Sequence, residues 1–83
     1  MSEYFTDWLK NQVKGRYRSF RQFARTAGIE EGLFYHILHG YQYPSPYNLS
    51  LIFKALGTDP EEQHRVVWQI WQEKVIVGST HKF

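Results

Sequence analysis

Cysteine is absent from this chain of 83 residues. That excludes disulfides and thiolate metal sites, leaves packing as the source of stability, and fits a cytoplasmic protein. No apolar run approaches the roughly 18–20 residues needed to span a bilayer, so no membrane contact is expected. The opening MSEYFTDWLK has no basic patch followed by an apolar stretch and does not follow the pattern of a secretory signal. Acidic residues are missing from the whole interval between Lys10 and Arg25. A chain this short reads as one domain, which buries only about 60% of the surface of its unfolded form. It is too small to enclose a cofactor beside a substrate domain, and no cofactor is expected.

Aromatic residues are plentiful: six Phe, six Tyr and three Trp. Net charge is only +2, but its distribution is uneven. Lys10, Lys14, Arg16, Arg18, Arg21 and Arg25 are six of the ten basic residues. The acids stand apart, as Glu3 and Asp7, Glu30 and Glu31, and then Asp59, Glu61, Glu62 and Glu73. A block of one sign suggests a surface that faces an anion. The plainer alternative is a solvated helix face, and the block's position beside the motif described next favours the anion.

Apolar spacing and capping signals predict an all-α fold of five helices. The first covers about residues 3–14, with Tyr4, Phe5, Trp8, Leu9 and Val13 as its stripe and Gly15 as its end. Ser19 opens the second, where Ser19 and Gln22 fit a capping box and Phe20, Phe23, Ala24 and Ala27 form the inner face. Gly28 suits a left-handed helix end, and Ile29 turns back into the core. The third helix runs from about Glu30 to His39 with Leu33, Phe34, Ile37 and Leu38 inward, and Gly40 stops it. After a loop with Pro44, Ser45 and Pro46 start a fourth helix whose inner residues are Leu49, Ile52, Phe53 and Leu56, ended by Gly57. Asp59 and Pro60 start a fifth that reaches about Lys74. Val75–Gly78 either extends it or forms a short strand, since β-branched residues favour strands. The domain is taken as residues 1–78, with 79–83 a flexible tail.

Two short helices joined by a glycine turn, from Ser19 to Gly40, have the layout of a helix-turn-helix. The series Ser19, Gln22, Phe23, Ala24, Ala27, Gly28, Ile29, followed by Ile37 and Gly40, resembles the phage-repressor/Cro-type (Xre-like) helix-turn-helix domains. Pro44-Ser45, Leu49, Ile52 and Ala55-Leu56-Gly57 are similar to the fourth helix of that family. The resemblance covers about residues 4–60. It implies a repressor-like domain that binds double-stranded DNA and regulates transcription, as a binding protein rather than an enzyme. The third helix would enter the major groove, which implicates Glu30, Glu31, Gly32, Tyr35 and His36 in base readout. Phosphate contacts would come from Phe20 and Arg21 at the start of the second helix, with Arg16, Arg18 and Arg25 of the basic block. The loop after the third helix would add His39, Gln42 and Tyr43, with Tyr47 a further candidate.

Some residues depart from that pattern. Readout helices usually offer Gln, Asn, Arg, Ser or Thr, whereas this one starts with two glutamates and a glycine. A glutamate can accept from cytosine N4, yet phosphates repel it, and Glu30 and Glu31 equally well only stabilise the helix start. His36 and His39 have no evident third ligand, so no metal is expected. Ser79, Thr80 and His81 have no orienting acid nearby, so no catalytic role is expected. The segment from Val66 to Val77 is too apolar for one buried stripe. Val67, Trp68, Trp71 and Val75 are therefore expected to form a homodimer interface, the alternative being that one broad face of the helix closes a small aromatic core. The alternative function is a protein-interaction module on the same scaffold, for which the acidic start of the third helix and the aromatic tail would supply the partner surface.

Overall fold

The computed structural model describes residues 3–81, and over them the chain is all-helical, with no strand. The helices are α1 (Glu3–Lys14), α2 (Phe20–Ala27), α3 (Glu31–Leu38), α4 (Pro46–Leu56) and α5 (Pro60–His81). Their starts follow from side chains that satisfy first-turn N–H groups. Ser19 Oγ accepts from the Gln22 amide at 3.1 Å. Gln22 Oε1 in turn accepts from the Arg18 amide at 2.9 Å, so the reciprocal box reaches one residue further back than the cap itself. Ser45 and Asp59 cap α4 and α5 in the same way, each followed by proline.

The turn between α2 and α3 depends on Gly28, whose φ of 79° lies in the left-handed region that side chains rarely adopt. Its N–H reaches the carbonyls of Ala24 and Arg25, and the Ile29 amide donates to Ala24 O at 3.0 Å. These bonds close the last turn of α2 and direct Ile29 inward, where it is buried.

The core is built mainly of large apolar side chains from all five helices. Phe5, Leu9 and Val13 of α1 meet Phe23 of α2, Phe34, Ile37 and Leu38 of α3, Ile52 and Leu56 of α4 and Val66 of α5, all essentially inaccessible. Phe23 stands at its aromatic centre, 5.4 Å from the Phe34 ring and 5.0 Å from that of Tyr17. Ala24 is buried too, and its methyl lets α2 lie close against its neighbours. α2 packs on α3 and α4, while α1 touches α2, α3 and α5. Each fully buried Leu, Val or Phe contributes roughly 1.5–3 kcal/mol.

Polar contacts fix helices that lie far apart in sequence. Trp8 Nε1 donates to Glu62 Oε2 at 2.9 Å, tying α1 to α5. The Tyr17 hydroxyl donates to Ala55 O at 2.8 Å, and Arg16 Nη1 donates to Leu56 O. The link between α1 and α2 thus supplies donors to the last carbonyls of α4.

Several expectations need correction. Of the two readings of residues 75–78 the helical one holds: α5 continues through them, with no proline to interrupt it and, among the described residues, no strand to pair with. Of the segment 79–83, residues 79–81 belong to the end of α5, and residues 82–83 lie outside the described residues. Tyr4 lies at the edge of the α1 stripe and is exposed. Val66, which was not among the expected inner residues, is the buried valine of α5, and Val67 is exposed. Among the described residues no helix is long and apolar enough to cross a membrane.

Candidate nucleic-acid interface

Two helix starts define this face, and they differ in what they offer. At α2, Ser19 takes up the amides of Gln22 and Phe23. The N–H groups of Phe20 and Arg21 are then those that the helix end presents outward. Both residues border a recess of about 310 Å³, lined also by Val13, Lys14, Tyr17, Arg18, Ser19 and Tyr35. Three of these residues are cationic and none is a carboxylate. The positive end of the α2 dipole points the same way, so the recess is suited to an oxyanion. Lys14 and Tyr17 were not among the candidate phosphate residues. For Lys14 the signal was there, in the acid-free interval that contains it.

The other candidate cations divide into separate roles. Arg18 lines the recess. Arg25 is exposed one turn beyond Arg21 on α2. Arg21 Nε meets Glu31 Oε1 at 2.9 Å, bridging α2 and α3. Such an exposed pair is worth at most about 1 kcal/mol. Its effect is to orient the guanidinium, whose terminal N–H groups remain for an anion. Arg16 is directed away, because its Nη1 is committed to the end of α4.

At α3 the protein's own acid occupies the helix start. Glu30 is the N-cap: its two carboxylate oxygens accept from the Gly32 amide at 3.0 Å and the Leu33 amide at 3.2 Å. A Cβ on residue 32 would stand 3.0 Å from Glu30 Oε1, so the glycine leaves room for the cap. The geometry therefore gives Glu30 and Gly32 a capping task and Glu31 an orienting one.

Further along α3 the outer face is aromatic. Tyr35 is 40% exposed, and its ring stacks on that of His39 with centroids 5.8 Å apart and 14° between planes. Tyr41 meets His36 edge-on at 5.9 Å and lies 6.3 Å from His39. Tyr35 joins this ridge to the cationic recess, since it lines both. Gln42 and Tyr47 are exposed nearby in the chain. Tyr43 is turned toward α5: its hydroxyl donates to Glu73 Oε2 at 3.2 Å, and the Lys74 ammonium stands 5.0 Å from its ring centroid.

On α5, Val67, Trp68 and Trp71 are exposed by 47%, 52% and 54%, and the two indoles stack at 5.3 Å. The side chains of Val75, Ser79 and Thr80 lie outside the described residues. Among the described residues no three His, Asp or Glu side chains converge as a metal site requires. No protein-family model, curated protein or solved structure matches this chain.

Proposed function

We propose that the protein binds double-stranded DNA through α2, the Gly28 turn and α3, and that it regulates transcription by occupying an operator in the cytoplasm. It acts as a binding protein, without catalysis. The observation that carries this reading is the recess at the start of α2, which Lys14, Arg18 and Arg21 line together with Phe20, beside the ridge of α3. A phosphate seated there would be held by charge and by N–H groups, and would set the register of α3 in the major groove. Tyr35, His36 and His39 would then face base edges and sugars. Arg25 would meet a further phosphate, one helical turn along.

Selection of bound duplexes from a random pool at low salt, followed by titration of the selected duplex, tests this. The expected result is binding that weakens steeply with salt. Arg18→Ala combined with Arg21→Ala should lower affinity on the order of a hundredfold and reduce the log–log salt slope by about 2. Failure to bind any duplex at low salt would overturn the reading. So would a doubly substituted protein that folds normally and keeps the original salt dependence.

A further inference from the structure

α4 packs chiefly on α2, and α5 on α1, which leaves a groove of about 660 Å³ between α4 and α5. Its floor is the core itself: Leu49 and Phe53 of α4 and Ile70 of α5 are buried, and each turns an edge to the groove. Val67 and Trp71, both half exposed, raise the wall on the α5 side. Two exposed ammonium groups stand at the rim, Lys54 from α4 and Lys74 from α5, and among the described residues no carboxylate lines the groove. Tyr43 steadies Lys74, whose Nζ lies 5.0 Å from its ring centroid, and the Tyr43 hydroxyl donates to Glu73, the carboxylate next to Lys74 in sequence. The two uncharged polar side chains that line the groove are already bonded: Ser50 Oγ donates to Tyr47 O at 2.6 Å, and Gln63 Nε2 to Thr58 O at 2.8 Å.

We propose that this groove binds a small apolar carboxylate, its body laid against Leu49, Phe53, Ile70 and Trp71 and its charged head held at the rim by Lys54 and Lys74. The volume falls within the range of about 300–1,000 Å³ that small-molecule sites occupy. The floor offers no polar partner, so a molecule lying on it must bring few polar atoms there or leave them unpaired. The charges are of one sign and stand on the open side, where a carboxylate meets them without giving up all of its water. A cationic head would be repelled at the same place. One end apolar and the other end anionic is thus the chemistry that the walls and the rim select together. This inference stands on α4 and α5 and does not depend on DNA binding.

The test is calorimetric titration of the full chain, without nucleic acid, with sodium decanoate kept below the concentration at which it forms micelles. The expected result is saturable binding of one decanoate per chain with Kd on the order of 100 μM. Octanoate, shorter by two methylenes, should bind roughly tenfold more weakly. Decyltrimethylammonium, with the same apolar chain and the opposite charge, should also bind at least about tenfold more weakly than decanoate. Lys54→Glu combined with Lys74→Glu changes two exposed positions and should reverse that preference. Ser50→Trp fills the groove from an exposed position that lines it and should weaken both probes. Circular dichroism and thermal melting verify that each variant folds. Absence of saturable decanoate binding to the parent chain would overturn the proposal. So would equal binding of the two decyl probes, or a preference for decanoate that survives in the folded double-glutamate variant. A decanoate Kd unchanged by Ser50→Trp would place the ligand elsewhere and overturn it as well.

Discussion

The face made by α2 and α3 and the face made by α4 and α5 use their aromatic residues in opposite ways. On the first, Tyr35, His36, His39 and Tyr41 touch one another in a ridge beside cations and helix amides, and every ring carries a polar atom. On the second, Trp68 and Trp71 stack beside an apolar groove. Rings with polar edges alongside positive charge suit a hydrated, anionic ligand. Indoles next to an apolar groove suit a surface that excludes water. Both recesses carry cations and no carboxylate, so the phenol and imidazole groups of the first face against the indoles of the second, rather than charge or aromatic content, separate the two.

The strongest way to break this contrast is to remove what both faces rest on. Phe23→Ala deletes the ring at the centre of the core and should cost about 3–5 kcal/mol, read by urea or thermal unfolding. Both faces should lose definition together, and a loss confined to one of them would show that they do not share a core. A smaller change acts on the first face alone. Glu30→Ala removes the cap of α3 and should cost about 1 kcal/mol, seen as a lowered Tm with the oligomeric mass unchanged. The smallest effect sharpens the reading of that cap. Gly32→Ala should gain up to about 1 kcal/mol of helix propensity when made in the Glu30→Ala protein. In the parent chain the new methyl crowds the Glu30 carboxylate, and most of that gain should vanish. A double-mutant cycle by thermal unfolding measures the difference, and additive effects would mean that Glu30 and Gly32 act independently.

The parts of the fold legible in the sequence are those decided within a few residues. Ser19 and Gln22, Gly28 and Ile29, and Ser45 and Pro46 each set a helix end through neighbours no more than five positions away, and the ends fall where the sequence indicates. The α1 stripe was nearly as clear, with only Tyr4 misassigned. What local pattern could not supply were contacts that depend on how helices meet. Arg16 looks like any other member of a basic block until α4 comes within its reach, 40 positions later. Glu30 could be read as a reader or a cap from its position alone, and only the direction of its carboxylate distinguishes them. In α5 the periodicity allowed more than one buried face. The choice of Val66 and Ile70 over Val67 and Trp71 is made by α1, through packing and through the Trp8–Glu62 bond. The cationic recess was half legible. The acid-free interval announced it, but Tyr17 joins it only because the link folds back on α4.

That folding back has an entropic consequence. The Tyr17 hydroxyl and the Arg16 guanidinium hold the α1–α2 link against the carbonyls of Ala55 and Leu56. A free link of this kind would have to be ordered when a ligand arrives, at roughly 1–2 kcal/mol for each backbone residue fixed. Here that ordering is completed when the chain folds. The walls of the recess at Tyr17 and Arg18 are preorganised, and α4, which lends the recess no side chain of its own, serves as its anchor.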